Sequence, residues 1–139
     1  MGRTADPARS AIMRAVKSKD TGPELTVRHL THALGYRYRL HQSDLPGTPD
    51  LVFAARRKAI FVHGCFWHGH DCKRGARIPK NNREYWTAKI GRNQARDALT
   101  FRRLHERGWM ALTLWECEIK DLSDATERIV AFLGPPKLN

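Results

Sequence analysis

Pro49-Asp50-Leu51-Val52-Phe53, the basic turn Ala54-Ala55-Arg56-Arg57, and Lys58-Ala59-Ile60-Phe61-Val62 run directly into His63-Gly64-Cys65-Phe66-Trp67-His68-Gly69-His70-Asp71-Cys72. The first two apolar runs are short, rich in β-branched and aromatic residues, and separated by a turn, which predicts an antiparallel hairpin. A turn centred near Arg56 would set Asp50 opposite Val62. The carboxylate would then face the end of the strand that delivers His63 to His68, and both would share one pocket. That last stretch holds three imidazoles and two thiols in ten residues around a Phe-Trp pair. Such a mixture suits metal binding or proton transfer, with aromatics placed to meet a flat ligand, and together with the rest of the chain it suggests a nuclease.

Upstream, Thr21-Gly22-Pro23-Glu24 is a capping-box pattern, and Val27, Leu30 and Leu34 follow at helical spacing before Gly35. These predict a helix from about Pro23 to Leu34. Tyr36 to Leu40 alternates with period two, as a half-buried strand does, and Leu45-Pro46-Gly47-Thr48-Pro49 breaks it. Downstream, Glu84 to Arg107 has no proline and carries Trp86, Ile90, Leu99 and Leu104 as apolar marks, which predicts a long, basic-faced helix closed by Gly108. Met110 to Trp115 reads as an apolar strand ending in Glu116 and Cys117, and Ser123 to Leu133 as a last helix before Gly134-Pro135-Pro136. Residues 1–20 carry Arg3, Arg9, Arg14, Lys17 and Lys19 against Asp6 and Asp20. They read as a basic arm with at most a short helix from Arg9 to Val16. The expected organisation is that arm followed by one α/β domain over 21–139.

A chain of 139 residues buries one core without help from disulfides. Its 25 Lys and Arg against 14 Asp and Glu give a formal net charge of +11, the footprint of a polyanion binder, and nucleic acid is the expected partner. No apolar stretch is long enough to span a bilayer and no signal-peptide pattern opens the chain, so a cytoplasmic, nucleoid-associated protein is expected. Three cysteines, Cys65, Cys72 and Cys117, suit a disulfide framework poorly and a zinc site with a histidine well. On spacing alone, His68, His70 and Asp71 compete for the remaining ligand position. Phe66, Trp67 and Trp86 can wedge between base pairs, which costs least at a mismatched step, although each also has a plain use in core packing. From Lys73 to Arg96 there are eight Lys or Arg and one Glu, consistent with a phosphate-contacting face.

The order of these motifs resembles the very-short-patch repair endonucleases of the PD-(D/E)xK restriction-endonuclease-like superfamily. The matching stretches are Met13-Arg14-Ala15, Asp20-Thr21 with Glu24, Leu45 to Asp50, Ile60 to His68 with His70 and Cys72, Glu84-Tyr85-Trp86, Lys89 to Asn93, Arg96-Asp97, Leu104, Gly108-Trp109 and Trp115-Glu116-Cys117. They span nearly the whole chain. The resemblance implies a central mixed β-sheet flanked by helices, with a structural zinc site. It implies a Mg²⁺-dependent endonuclease that nicks double-stranded DNA beside a T·G mismatch left by deamination of 5-methylcytosine, giving a 5′-phosphate and a 3′-hydroxyl.

Residue by residue, the resemblance implies that Asp50 binds Mg²⁺ together with the main-chain carbonyl of Val62, which stands where related enzymes carry a second acid. The family's usual residue at position 62 is threonine, and a main-chain ligand tolerates that change. His68 takes the place of the missing lysine in handling the water's proton, apt for a group that titrates near neutrality. Glu24 and His63 support the site, though Glu24 is also explained as a capping residue and His63 as a brace. The family pattern selects His70 beside Cys65, Cys72 and Cys117 as zinc ligands. It makes Met13, Arg14, Phe66, Trp67, Trp86, Lys89, Arg92, Asn93 and Arg96 the DNA-contacting set. A monomer is expected, with other mismatch-repair proteins as further candidate partners. Two other classes use the same residues: a restriction or nicking enzyme for matched DNA, and a non-catalytic zinc-stabilised DNA-binding protein.

Overall fold

The Thr21 hydroxyl accepts the Glu24 amide and starts helix α1 (Gly22–Ala33), with proline in its first turn. In this computed structural model residues 21–72 and 78–136 are described; the expected basic arm, its short helix, and Met13 and Arg14 lie outside the described residues. α1 buries Val27 and Thr31 against the sheet together with the charged Glu24. Gly35, at φ 102°, lets the chain reverse, and the Tyr36 amide closes the helix on the Thr31 carbonyl.

The strand expected from Tyr36 to Leu40 is only β1 (Arg39–Leu40). Side chains anchor the residues before it instead of a ladder. Tyr36 is 1% exposed and its hydroxyl bonds the Gly134 carbonyl, while the Tyr38 hydroxyl donates to the Arg28 carbonyl at 3.0 Å. β2 (Leu51–Phe53) and β3 (Lys58–His63) form the expected antiparallel hairpin around a single 3₁₀ turn, Ala54–Arg56, completed by Arg57 in the left-handed region. The register differs by one residue from the expected one. Leu51 pairs with Ile60 and Phe53 with Lys58, so continuing the ladder sets Asp50 opposite Phe61 rather than Val62. The turn uses four residues, Ala54 to Arg57, and its centre therefore falls before Arg56.

After the hairpin come α2 (Arg83–Glu106), β4 (Met110–Trp115), a short helix α3 (Glu116–Ile119) and α4 (Leu122–Leu133). β4 lies parallel to β3, from Lys58 beside Met110 to His63 beside Trp115, which gives a mixed sheet of order β1-β2-β3-β4. Both faces of β2 and β3 are covered, so their residues are apolar in runs and not in alternation. On one face Ile60, Leu51 and Leu114 pack with Val27 of α1 and Ile129 and Leu133 of α4; on the other, Ala59 and Phe61 pack with Leu104 and Phe101 of α2. α2 is anchored through few residues and leaves Arg92 and Arg96 exposed. No helix among the described residues is long and apolar enough to cross a membrane.

Leu104 is fully buried against β3 and holds α2 to the sheet. Leu104→Ala is expected to lower stability by about 3 kcal/mol, read as a shift of the urea midpoint at unchanged m-value; a shift too small to measure would mean that α2 docks through other contacts.

Candidate active site

The topology brings the chemistry to one end of the sheet. β2 begins where β3 ends because the two are antiparallel, and β4 ends there too because it is parallel to β3. Asp50, Val62, His63, Trp115 and Cys117 therefore gather from distant parts of the chain. The first turn of α1 and the residue after β1 add Glu24 and His41.

Asp50 Oδ2 accepts the Val62 amide at 2.7 Å, so the carboxylate reaches the residue expected of it despite the shifted register. Burial and then the neighbouring Glu24 carboxylate work against its charge, opposed by the Val62 amide and by His41 and Arg28, and its pKa is pushed up to about 6. Glu24, 3% exposed, binds Arg28 and lies 2.5 Å from Nε2 of His41, which is itself 3.8 Å from Asp50 Oδ1. His41 was not singled out in the sequence. Its only signal there is a histidine just after an alternating stretch. Two carboxylates so close, in a mostly buried place, are a donor set that a divalent cation fits.

The second group is built by stacking. The rings of His63 and His68 lie 3.7 Å apart and nearly parallel, and Nδ1 of His68 is 2.6 Å from Oδ2 of Asp97 on α2. With Nδ1–H donated to Asp97, the lone pair of His68 is at Nε2, the arrangement of an oriented general base. Asp97 belongs to the Arg96-Asp97 stretch, but nothing in the sequence tells which turn of α2 passes the histidines, so it has no role that pattern alone reveals. His63 is 6% exposed; burial, and then the neighbouring His68, drive its pKa down to about 4. Its buried Nδ1 has no hydrogen-bond partner among the described residues.

The third group brings together Cys65, His70, Cys72 and Cys117, whose ligand atoms all lie within 4.8 Å of one another. Asp71 is not in it, and His68 is engaged by Asp97. Instead of continuing as a strand, the chain after Trp115 turns into α3, with the Glu118 carboxylate accepting the Trp115 amide, and this places Cys117 in the first helical turn. Burial, and crowding by the other two thiols, push the Cys65 thiol up to about 12. A bound cation would relieve that crowding, and a tetrahedral Cys₃His set suits zinc. Trp115 joins the groups, its ring stacked 4.1 Å from His70 and edge-on to His63 and His68.

Phe66, Trp67 and Trp86 meet edge to face, 5.1 to 5.8 Å between centroids, and all three are half-buried. They pack on one another beside Tyr85, which is 53% exposed, and not in either core cluster. The Asn93 amide donates to the Trp67 carbonyl at 2.8 Å and Gln94 to that of Gly69 at 3.2 Å, so α2 clamps this loop. Gly69 sits at φ 64°, and a Cβ there would come within 2.4 Å of Gln94 and 2.7 Å of Ile90. Lys89 is half-buried, and Arg92 and Arg96 continue the exposed basic face of α2.

A mixed sheet flanked by helices, with acids and histidines collected at one end, is the restriction-endonuclease-like arrangement. Residues 4–74 match the family described as DNA mismatch endonuclease Vsr. The chain is 47% identical over 133 residues to the type II nicking enzyme V.XorIIP of Xanthomonas oryzae pv. oryzae, covering 96% of this chain and 97% of that one. It is 40% identical over 119 residues to the DNA mismatch endonuclease Vsr of Escherichia coli, covering 86% and 76%, and 39% identical over 121 residues to the type II nicking enzyme V.NmeAIP of Neisseria meningitidis, covering 87% and 86%. The chain belongs to the Vsr endonuclease family.

The opposite shifts of Asp50 and His63 carry a stability signature. Between its ordinary 3.8 and about 6, Asp50 binds more proton folded than unfolded, so it adds stability as the pH falls through that window. His63, lowered from 6.5 to about 4, binds less proton folded, so its contribution is present above 6.5 and lost as the pH falls towards 4. Each is worth roughly 3 kcal/mol at most and the two nearly cancel. In Mg²⁺-free buffer, Asp50→Asn is expected to make stability fall more steeply than in the wild type from pH 6.5 to 4, and His63→Gln to reverse that slope. Denaturant titrations at several pH values check this; wild-type slopes in both variants would refute it.

Proposed function

We propose that this DNA endonuclease nicks one strand of double-stranded DNA beside a T·G mismatch, in a Mg²⁺-dependent hydrolysis that leaves a 5′-phosphate and a 3′-hydroxyl. One observation carries the reading: the buried Glu24–His41–Asp50 group and the Asp97-oriented His68 converge on the same end of the sheet, beside an aromatic cluster that is not part of the core. Asp50 and the Val62 carbonyl would hold Mg²⁺. When bound, the ion polarises the phosphate and stabilises the departing oxygen. His68 Nε2 takes a proton from the attacking water, whose oxygen bonds phosphorus as the P–O3′ bond breaks. O3′ leaves and takes a proton from solvent, and the phosphate stays on O5′ of the downstream strand. Asp97 stabilises the imidazolium, while the low pKa of His63 keeps a second positive ring from stacking on it.

Phe66, Trp67 and Trp86 supply a ready-made wedge. Unstacking a base step costs a few kcal/mol and least at a mismatch, which favours a T·G pair over matched duplex. Arg92, Arg96 and Lys89 would track the phosphates. Cys65, His70, Cys72 and Cys117 would hold zinc in closed coordination, fixing the loop that carries His68 to the end of β4 and adding stability rather than chemistry.

The test is nicking of end-labelled duplexes, each with a T·G pair in one of many flanking contexts beside matched T·A and C·G controls. Cuts beside T confined to T·G duplexes are expected, abolished in Asp50→Ala and slowed roughly 10²–10⁴-fold in His68→Ala, the usual worth of a general base. Cleavage of matched duplex would favour a restriction-type or nicking endonuclease for matched DNA, and tight binding without a cut would favour a silent binder. For the metal set, one zinc per chain is expected by elemental analysis. Cys72→Ser should lower that content and the thermal midpoint, by on the order of 10 °C for the several kcal/mol a structural site contributes. Full zinc content in that variant would exclude the ligand set.

A further inference from the structure

His41 stands one residue beyond β1 at φ 46°, in the left-handed region that costs a non-glycine residue roughly 1 kcal/mol or more. That conformation turns the chain at the end of β1, and the ring beyond it lies against two carboxylates at once, Glu24 at 2.5 Å and Asp50 at 3.8 Å. The imidazole is mostly buried, and one ligand atom from each of the three residues lies within 4.8 Å of the others. A histidine serving only to neutralise Glu24 would have no need of the second acid, since Arg28 already binds Glu24.

We propose that His41 is a nitrogen ligand of the Asp50 metal centre, adding with Glu24 to the donors Asp50 and the Val62 carbonyl, so that the site that works with Mg²⁺ binds Mn²⁺ or a later first-row divalent ion more tightly. The inference rests on the reading of Asp50 as a metal ligand given above. The physical reason is ligand softness. Mg²⁺ favours oxygen donors and keeps its water, whereas an imidazole nitrogen adds affinity for Mn²⁺ and Co²⁺ in the Irving–Williams order.

The experiment is Mn²⁺ binding to the full-length, zinc-loaded protein, followed by the loss of the free-ion signal in electron paramagnetic resonance, with Mg²⁺ as competitor. Pulsed measurements read any imidazole nitrogen coupled to the bound ion. Asparagine tolerates the left-handed region, so His41→Asn keeps the backbone while removing the imidazole. One Mn²⁺ bound about tenfold more tightly than Mg²⁺ is expected in the wild type, with an imidazole coupling. His41→Asn should lose the coupling and most of the preference, leaving Mg²⁺ affinity within about twofold. Wild-type binding that is weakened by Asp50→Asn but shows no imidazole coupling would overturn the role of His41 and leave the Asp50 centre standing. Binding unchanged in Asp50→Asn would overturn both. Should His41→Asn fail to fold, the wild-type coupling, recorded also in His63→Gln and His68→Gln, decides: it must persist in both.

Discussion

The amide of Val62 and the carboxylate of Asp50 meet at 2.7 Å where the hairpin ends, and the site is organised around that contact. It spends a backbone donor at the end of β3 on a side chain from the start of β2, and so ties the acid to the sheet itself rather than to a loop. The acid is held where its charge is least welcome. Burial pushes it up to about 6, and Glu24 beside it adds to the push. Stability and chemistry therefore pull apart here. The fold would be more comfortable with a neutral residue at position 50, and only a bound cation or a nearby positive side chain relieves the strain.

Around this contact the helices act as braces. α1 brings Glu24 by its first turn, and α2 sends Asp97 to His68 while Asn93 and Gln94 hold the loop carbonyls of Trp67 and Gly69. His68 is thus oriented from a helix anchored by Leu104, well along the chain from the loop it serves. Asn93, expected among the DNA-contacting residues, spends its amide on the aromatic loop. A change at that position would move Trp67 before it touched any phosphate.

Local rules made much of this legible. The Thr21 cap, the glycines at 35 and 108, the two apolar runs of the hairpin and the long basic helix each follow from propensity and pattern, and the structure has them within a residue or so. The gathering of Cys65, His70, Cys72 and Cys117 was legible as a set of residue types, with the family pattern needed to choose His70. What escaped was whatever depends on register and distance. The one-residue offset of the hairpin turns on how tightly Ala54 to Arg57 coil. β1 shrank because Tyr36 and Tyr38 found hydrogen bonds elsewhere, and α3 appeared because Glu118 caps its own start. The partnerships of His41 with Glu24 and of Asp97 with His68 cross long stretches of chain, and no periodicity announces them.

The parallel pairing of β3 with β4 has a consequence for how the protein is made. Cys65, His70 and Cys72 leave the ribosome together, while Cys117 and Trp115 follow only after the whole of α2. A nascent chain can therefore offer three members of the thiol–imidazole cluster, with His63 and His68, yet lack the strand that closes the sheet beside them. Cys117 emerges just behind β4, so the thiol cluster cannot close before that strand has been made. A chain cut short before β4 would carry most of the reactive side chains without the strand that brings Trp115 and Cys117 beside them.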